Sequence, residues 1–125
     1  MIDRRELGAI FLGGALGTLV RAGVVEVLGR GAPEWPWATF VVNVAGAFLL
    51  GWFVIGLPER GYRRPLLMAG FCGSLTTFST LQLELLEMLD EGWIGLAALY
   101  GLGSVVAGYF GVVCAMATAR RWRLR

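Results

Sequence analysis

Much of this chain's chemical capacity lies where hydrocarbon would penalise it. The stretch Gly70-Phe71-Cys72-Gly73-Ser74-Leu75-Thr76-Thr77-Phe78-Ser79-Thr80-Leu81 sits inside an otherwise apolar run, and its glycines and hydroxyl residues weaken an α-helical ladder at the depth where weakness is costly. Backbone that leaves the helix there must be buried in protein or line a polar cavity, since each unpaired N–H or C=O costs several kcal/mol in lipid. This makes the stretch a candidate ion site. Loose carbonyls would face cations and N-terminal amides would face anions, without any charged side chain. The spacing predicts a break between Gly73 and Thr77, with Thr76 or Thr77 capping a helix that resumes at Phe78.

Other polar residues fall within reach of the same problem. Thr39 and Asn43 lie one helical turn apart, and an asparagine in hydrocarbon must either bond a neighbouring helix or face water. The break in the neighbouring run favours water, where the carboxamide NH2 could donate to an anion without a trapping charge. Tyr100, Ser104, Gly108 and Gly111 recur on one stripe, either a polar track or a packing face. Phe78 is a core residue or, beside a desolvated anion, a ring edge of positive potential. Arg21 either snorkels to the surface or guards a water-filled vestibule. Glu84 is either a solvated vestibule residue or the partner of Arg21.

The elements that must position these groups are membrane spans. The 125 residues are 57% hydrophobic and contain 19 glycines. No charge interrupts Trp35 to Leu57, Pro65 to Leu83 or Gly92 to Ala119, and each run can cross a ~30 Å hydrocarbon layer at about 1.5 Å per residue. With a first span carrying Arg21 and Glu26, the reading is an all-α membrane protein in one four-helix domain. Its spans fall at about 7–28, 35–57, 65–89 and 93–119. Small residues at helical spacing (Gly13 and Gly17, Ala47 and Gly51, Ser104 and Gly108) let helices approach closely, and so thin a bundle favours association.

Charge gives the orientation. Arg4, Arg5, Arg60, Arg63, Arg64, Arg120, Arg121, Arg123 and Arg125 fall on one side of four spans, against Arg30 on the other, which places both termini in the cytoplasm. The net charge of +2 then implies contact with lipid headgroups, not with nucleic acid. Cys72 and Cys114 have no ligand-type neighbours in sequence and read as small packing residues. With no histidine and no activated nucleophile in the pattern, the chain is not expected to be an enzyme.

Taken together, these residues resemble the small Fluc (CrcB-type) fluoride channels over nearly the whole chain. The resemblance rests on the first-span arginine, Asn43-Val44-Ala45-Gly46-Ala47-Phe48-Leu49-Leu50-Gly51, the Gly70 to Thr80 motif and the Tyr100/Ser104 stripe. It implies passive fluoride export across a bacterial inner membrane by an antiparallel, dual-topology-type dimer. A structural Na+ would sit at the dimer centre on the carbonyls of Gly73 and Thr76. Fluoride would pass near Asn43, Phe78, Tyr100 and Ser104, with Arg21 and Glu84 in the vestibule. Two positions depart from the family pattern. Leu81 stands where a second phenylalanine is usual, and Gly108 where the fourth-span hydroxyl track often continues. An antiparallel homodimer also needs a chain that inserts both ways, whereas the arginine bias specifies one orientation. The expectation is therefore one half of a heterodimer with an oppositely oriented homologue, and a homodimer is the alternative. The rival readings are a small four-helix multidrug/proton antiporter, which would need a carboxylate near the middle of the first span, and a non-conducting membrane assembly subunit.

Overall fold

The computed structural model describes residues 3–29 and 35–123. Arg30 and Arg125, used in the charge reading, lie outside them. The described residues are helical, with no strand, and four segments are long and apolar enough to cross a membrane: Arg4–Leu28, Trp37–Gly56, Pro65–Asp90 and Ile94–Arg123.

Helix α1 (Arg4–Leu28) starts three residues before the expected boundary because the Asp3 carboxylate caps it, accepting the amide of Arg5 at 2.9 Å. It stops at Gly29, whose φ of 84° suits glycine. Helix α2 (Trp37–Gly56) follows Pro36. The third crossing is composite. It opens as a π-helix at Pro65–Cys72, tightens into the short α3 (Gly73–Leu75), passes through Thr76 and Thr77, and continues as α4 (Phe78–Asp90). Helix α5 (Ile94–Arg123) then runs through Arg120, Arg121 and Arg123, four residues beyond the expected Ala119. Their positive charge suits the negative end of the helix dipole.

Two helix pairs make up the bundle: α1 lies along the π-helix and α2 along α5. Glycine sets the first pairing. A Cβ on Gly13 would collide with the carbonyl oxygen of Leu66 and come within 2.9 Å of the Phe71 nitrogen, and one on Gly70 would meet the Gly13 Cα at 3.0 Å. Gly17 similarly faces Phe71 and Ser74. In the second pair, a Cβ on Gly51 would lie 2.7 Å from the Val112 carbonyl oxygen. These small residues therefore pack helices within one subunit, whereas Gly108 has no neighbour closer than the Ala47 Cβ, 3.9 Å from its would-be side chain.

The arginine-rich ends are tied together. The Tyr62 hydroxyl donates to Asp3 Oδ2 at 3.0 Å, linking the N-terminus to the connection between α2 and the π-helix. This bond, followed by desolvation and the Asp3 charge, pushes the Tyr62 phenol above its usual pKa. Arg64 donates from Nη2 to the Val54 carbonyl at 2.9 Å, placing its charge at the carbonyl end of α2.

Candidate functional site

The polar face of α2 addresses the third crossing residue by residue. Gly46 leaves room for the Thr76 methyl, Asn43 meets the backbone of Thr77, and Thr39 reaches Glu84.

At Thr76 the backbone is extended (φ −77°, ψ 152°), as it is at Thr77 (φ −144°, ψ 110°), so the unwound pair is shorter than the expected Gly73–Thr77. Asn43 holds it there. Its Oδ1 accepts the Thr77 amide at 2.7 Å while its Nδ2 donates to the Thr77 carbonyl at 3.1 Å, so the carboxamide copies a neighbouring peptide unit. This revises the expectation that Asn43 faces water: it bonds a neighbouring segment, with one Nδ2 proton left over. Because the Thr77 amide turns to Asn43, it does not extend the helical ladder back to the Gly73 carbonyl. The Cys72 carbonyl, by contrast, is taken twice, by the Thr76 amide at 3.1 Å and the Thr76 hydroxyl at 3.0 Å. Ser74 folds its hydroxyl back onto the carbonyls of Gly70 (2.9 Å) and Phe71 (3.1 Å).

Beyond the extended pair, Thr77 caps α4. Its Oγ1 accepts the Thr80 amide at 3.2 Å and donates to Thr80 Oγ1 at 2.9 Å. Thr77 is only 7% exposed, whereas Phe78, immediately after it, is 71% exposed on the surface of the isolated subunit. Phe78 is therefore not a core residue of this chain.

Glu84 is the hub of the far end. One carboxylate oxygen accepts the Thr39 hydroxyl and the other the Tyr100 hydroxyl, both at 2.6 Å. Such short charge-assisted bonds are about twice as strong as neutral ones. The carboxylate is thus held by two hydroxyls, neither free in solvent nor turned to Arg21. Arg21 and Glu84 do share the lining of a cavity of about 590 Å³, together with Thr39, Thr77, Thr80, Glu26 and Glu87. Thr39 and Glu84 are each conspicuous in the sequence, but nothing in their spacing joins them.

Tyr100 has no exposed surface and forms a core with Met88 and Ala97, against which Leu81 packs. Leu81 thus packs against the core that holds Tyr100 in the same subunit. Ser104, one turn on, has a buried hydroxyl with no partner among the described residues, so the Tyr100/Ser104 stripe carries one satisfied and one open hydroxyl. Cys72 is fully buried, as a packing residue should be, but Cys114 is exposed on α5. Among the described residues no group of three histidine, cysteine or carboxylate side chains could hold a metal ion.

Comparison with known proteins matches residues 8–116 to the family described as CrcB-like protein, Camphor Resistance (CrcB). The chain is 52% identical over 127 residues to the fluoride-specific ion channel FluC 1 of Mycolicibacterium paratuberculosis, covering 98% of this chain and 96% of the relative. It is 40% identical over 119 residues to the fluoride-specific ion channel FluC of Methylobacterium sp. (strain 4-46), covering 90% and 94%. The protein of that name from Cereibacter sphaeroides (strain ATCC 17029 / ATH 2.4.9) is 39% identical over 118 residues, covering 90% and 93%. With four membrane-spanning helices, an asparagine clasped to the third crossing and a family match over most of its length, this chain belongs to the CrcB-like family of multi-pass membrane proteins.

Proposed function

We propose that this chain is a subunit of a fluoride-selective channel that lets cytoplasmic fluoride leave passively through a bacterial inner membrane. The observation that carries the reading is the clasp between Asn43 and Thr77, which keeps extended backbone inside a crossing that should otherwise be helical. The names of the relatives support it. A small anion that sheds water needs replacement donors in a narrow passage, and this chain offers hydroxyls, amide N–H groups and an aromatic edge. The remaining Nδ2 proton of Asn43, the open hydroxyl of Ser104 and the exposed ring of Phe78 are the donors nearest to hand. The Tyr100 hydroxyl already serves Glu84, so its part is to shield that carboxylate's charge from a passing anion. Arg21 in the cavity wall attracts the anion from bulk water. No catalytic group is required for such transport.

The chain works as half of an antiparallel dimer in this reading. The break in the third crossing is then the meeting point of two subunits, and the exposed Phe78 becomes a residue of the shared passage. The carbonyls of Gly73 and Thr76 would hold a structural Na+ there. The donor set fits: neutral backbone oxygens suit a hard monovalent cation, and the turn of the Thr77 amide toward Asn43 spares the Gly73 carbonyl. One subunit supplies too few oxygens, so a second must complete the site. When bound, the ion supplies positive potential beside the passage without placing fixed charge in it.

The arginine distribution supports cytoplasmic termini and favours a heterodimer with an oppositely oriented homologue over a homodimer. Leu81 supplies an aliphatic side chain to the core around Tyr100, and the partner would bring the aromatic one. Neither Glu6 nor Glu26, near the two ends of α1, provides the mid-span carboxylate an antiporter would need.

Fluoride-electrode recordings of efflux from vesicles containing this chain, alone and with an oppositely oriented homologue, test the proposal. Efflux with the pair but not with either chain alone is expected. Robust efflux from this chain alone would remove the heterodimer, and no fluoride efflux from either preparation would remove the channel.

A further inference from the structure

One aromatic side chain outside the path contacts the group that steadies it. Trp35 belongs to the short segment leading into α2, and its ring stands edge-on to Tyr100, with centroids 5.2 Å apart and planes at 82°. It makes a second edge contact with Phe40 at 5.4 Å. Its far edge lies over α5, where a Cβ on Gly103 would come within 3.3 Å of Trp35 Cη2. Gly103 therefore keeps open the slot that the indole fills, one residue before Ser104. The other residues packed against the Met88, Ala97 and Tyr100 core are the aliphatic Leu81, Leu85 and Leu96 and one further aromatic, Phe40, whose ring pairs with Trp35 and Trp37.

We infer that Trp35 is a positioning residue: by fixing the ring of Tyr100 it holds the Tyr100 hydroxyl on Glu84 and so keeps the Glu84 charge compensated. The inference rests on the fluoride reading above. The carboxylate can be neighbour to an anion path because two hydroxyls, those of Thr39 and Tyr100, neutralise part of its field. The Thr39 hydroxyl sits on a short β-branched side chain in the first turn of α2. The Tyr100 hydroxyl sits at the end of a long ring lever, and a small tilt of the ring would carry it out of hydrogen-bond range. Edge-to-face aromatic contacts have a preferred geometry that aliphatic contacts lack, so Trp35 is the neighbour able to set that tilt.

The test compares Trp35→Phe and Trp35→Leu, each with Tyr100 intact and with Tyr100→Phe, by fluoride efflux from vesicles across a range of fluoride concentrations. Phenylalanine keeps an aromatic edge and removes no hydrogen bond recorded among the described residues, since the indole N–H has none there. Trp35→Phe should stay within about twofold of the parent, and Trp35→Leu should raise the half-saturating fluoride concentration about two- to tenfold. In the Tyr100→Phe background, which lacks the hydroxyl, Trp35→Leu should have little further effect. Equal losses from Trp35→Leu in the two backgrounds would overturn the inference, because mere support of the fold would act regardless of the hydroxyl. A second readout does not depend on transport. In protein labelled with 5-fluorotryptophan, the 19F resonance that Trp35→Phe deletes should move when Glu84→Gln disturbs the Tyr100 hydroxyl. A resonance indifferent to Glu84→Gln would sink the coupling, while a resonance that moves in a preparation without fluoride flux would sink only the channel reading.

Discussion

Replacing Asn43 by leucine tests the central geometry most directly. The substitution keeps roughly the same volume but removes both hydrogen bonds to Thr77, at 2.7 and 3.1 Å, and leaves the amide and carbonyl of a residue only 7% exposed without partners. Leaving a buried polar group unsatisfied costs about 1–3 kcal/mol, so the pair amounts to about 2–6 kcal/mol against the extended conformation. At about 1.4 kcal/mol per factor of ten, even the lower bound reduces the population of the unwound state roughly 30-fold. The Thr77 amide regains a partner most simply by turning back toward the Gly73 carbonyl, which closes the helix. Fluoride efflux from vesicles should therefore fall by at least about an order of magnitude in Asn43→Leu, and hydrogen exchange at Thr77 should change with it. Asn43→Asp provides the contrast. A carboxylate can still accept the Thr77 amide but sets an anionic oxygen against the Thr77 carbonyl and repels fluoride, so transport should be lost here too. Efflux at the parental rate in Asn43→Leu, from protein of unchanged thermal stability, would refute the idea that this side chain holds the backbone open.

Three further perturbations separate the parts of the structure. In Glu84→Gln the new amide NH2 can no longer accept one of the two hydroxyls from Thr39 and Tyr100, and fluoride efflux should fall several-fold; an unchanged rate would show that the carboxylate is not needed to orient them. Gly13→Ala drives a methyl into the Leu66 carbonyl and should destabilise by about 1–3 kcal/mol or more, read as a lowered Tm in detergent. Gly8→Ala, on the same helix with nothing within 4 Å, should leave the Tm unchanged or raise it through helix propensity. Exhaustive replacement of Na+ by a large organic cation should weaken subunit association measured by size-exclusion chromatography; association indifferent to Na+ would remove the cation from the proposal.

The four crossings were legible because hydrocarbon forbids charge, so the uncharged runs and the arginine fringe mark them directly. The ends were less so. Asp3 advances α1 to Arg4 by a capping bond, and the arginines after Ala119 extend α5 because its dipole accepts them. Polar residues at membrane depth stand out in the sequence, but their hydrogen-bond partners are long-range. Asn43 and Thr77 are 34 positions apart, and Thr39 and Glu84 are 45 apart, so no local spacing reports either pair. The π-helix was not anticipated. Its winding coincides with the close approach of Gly13 and Gly70, a property of two surfaces that the Pro65–Cys72 composition does not report.

That π-helix also fixes which way the following residues point. A wider coil advances fewer degrees per residue than an α-helix, so Pro65–Cys72 behaves like a phase delay inserted upstream of Thr76, Thr77 and Phe78. Deleting a single residue from it would both shorten the crossing and swing every downstream side chain around the axis, including those that meet Asn43 and Thr39. Insertions and deletions should therefore be tolerated far worse between Pro65 and Cys72 than in the connection just before it, although neither segment supplies a residue of the proposed anion pathway.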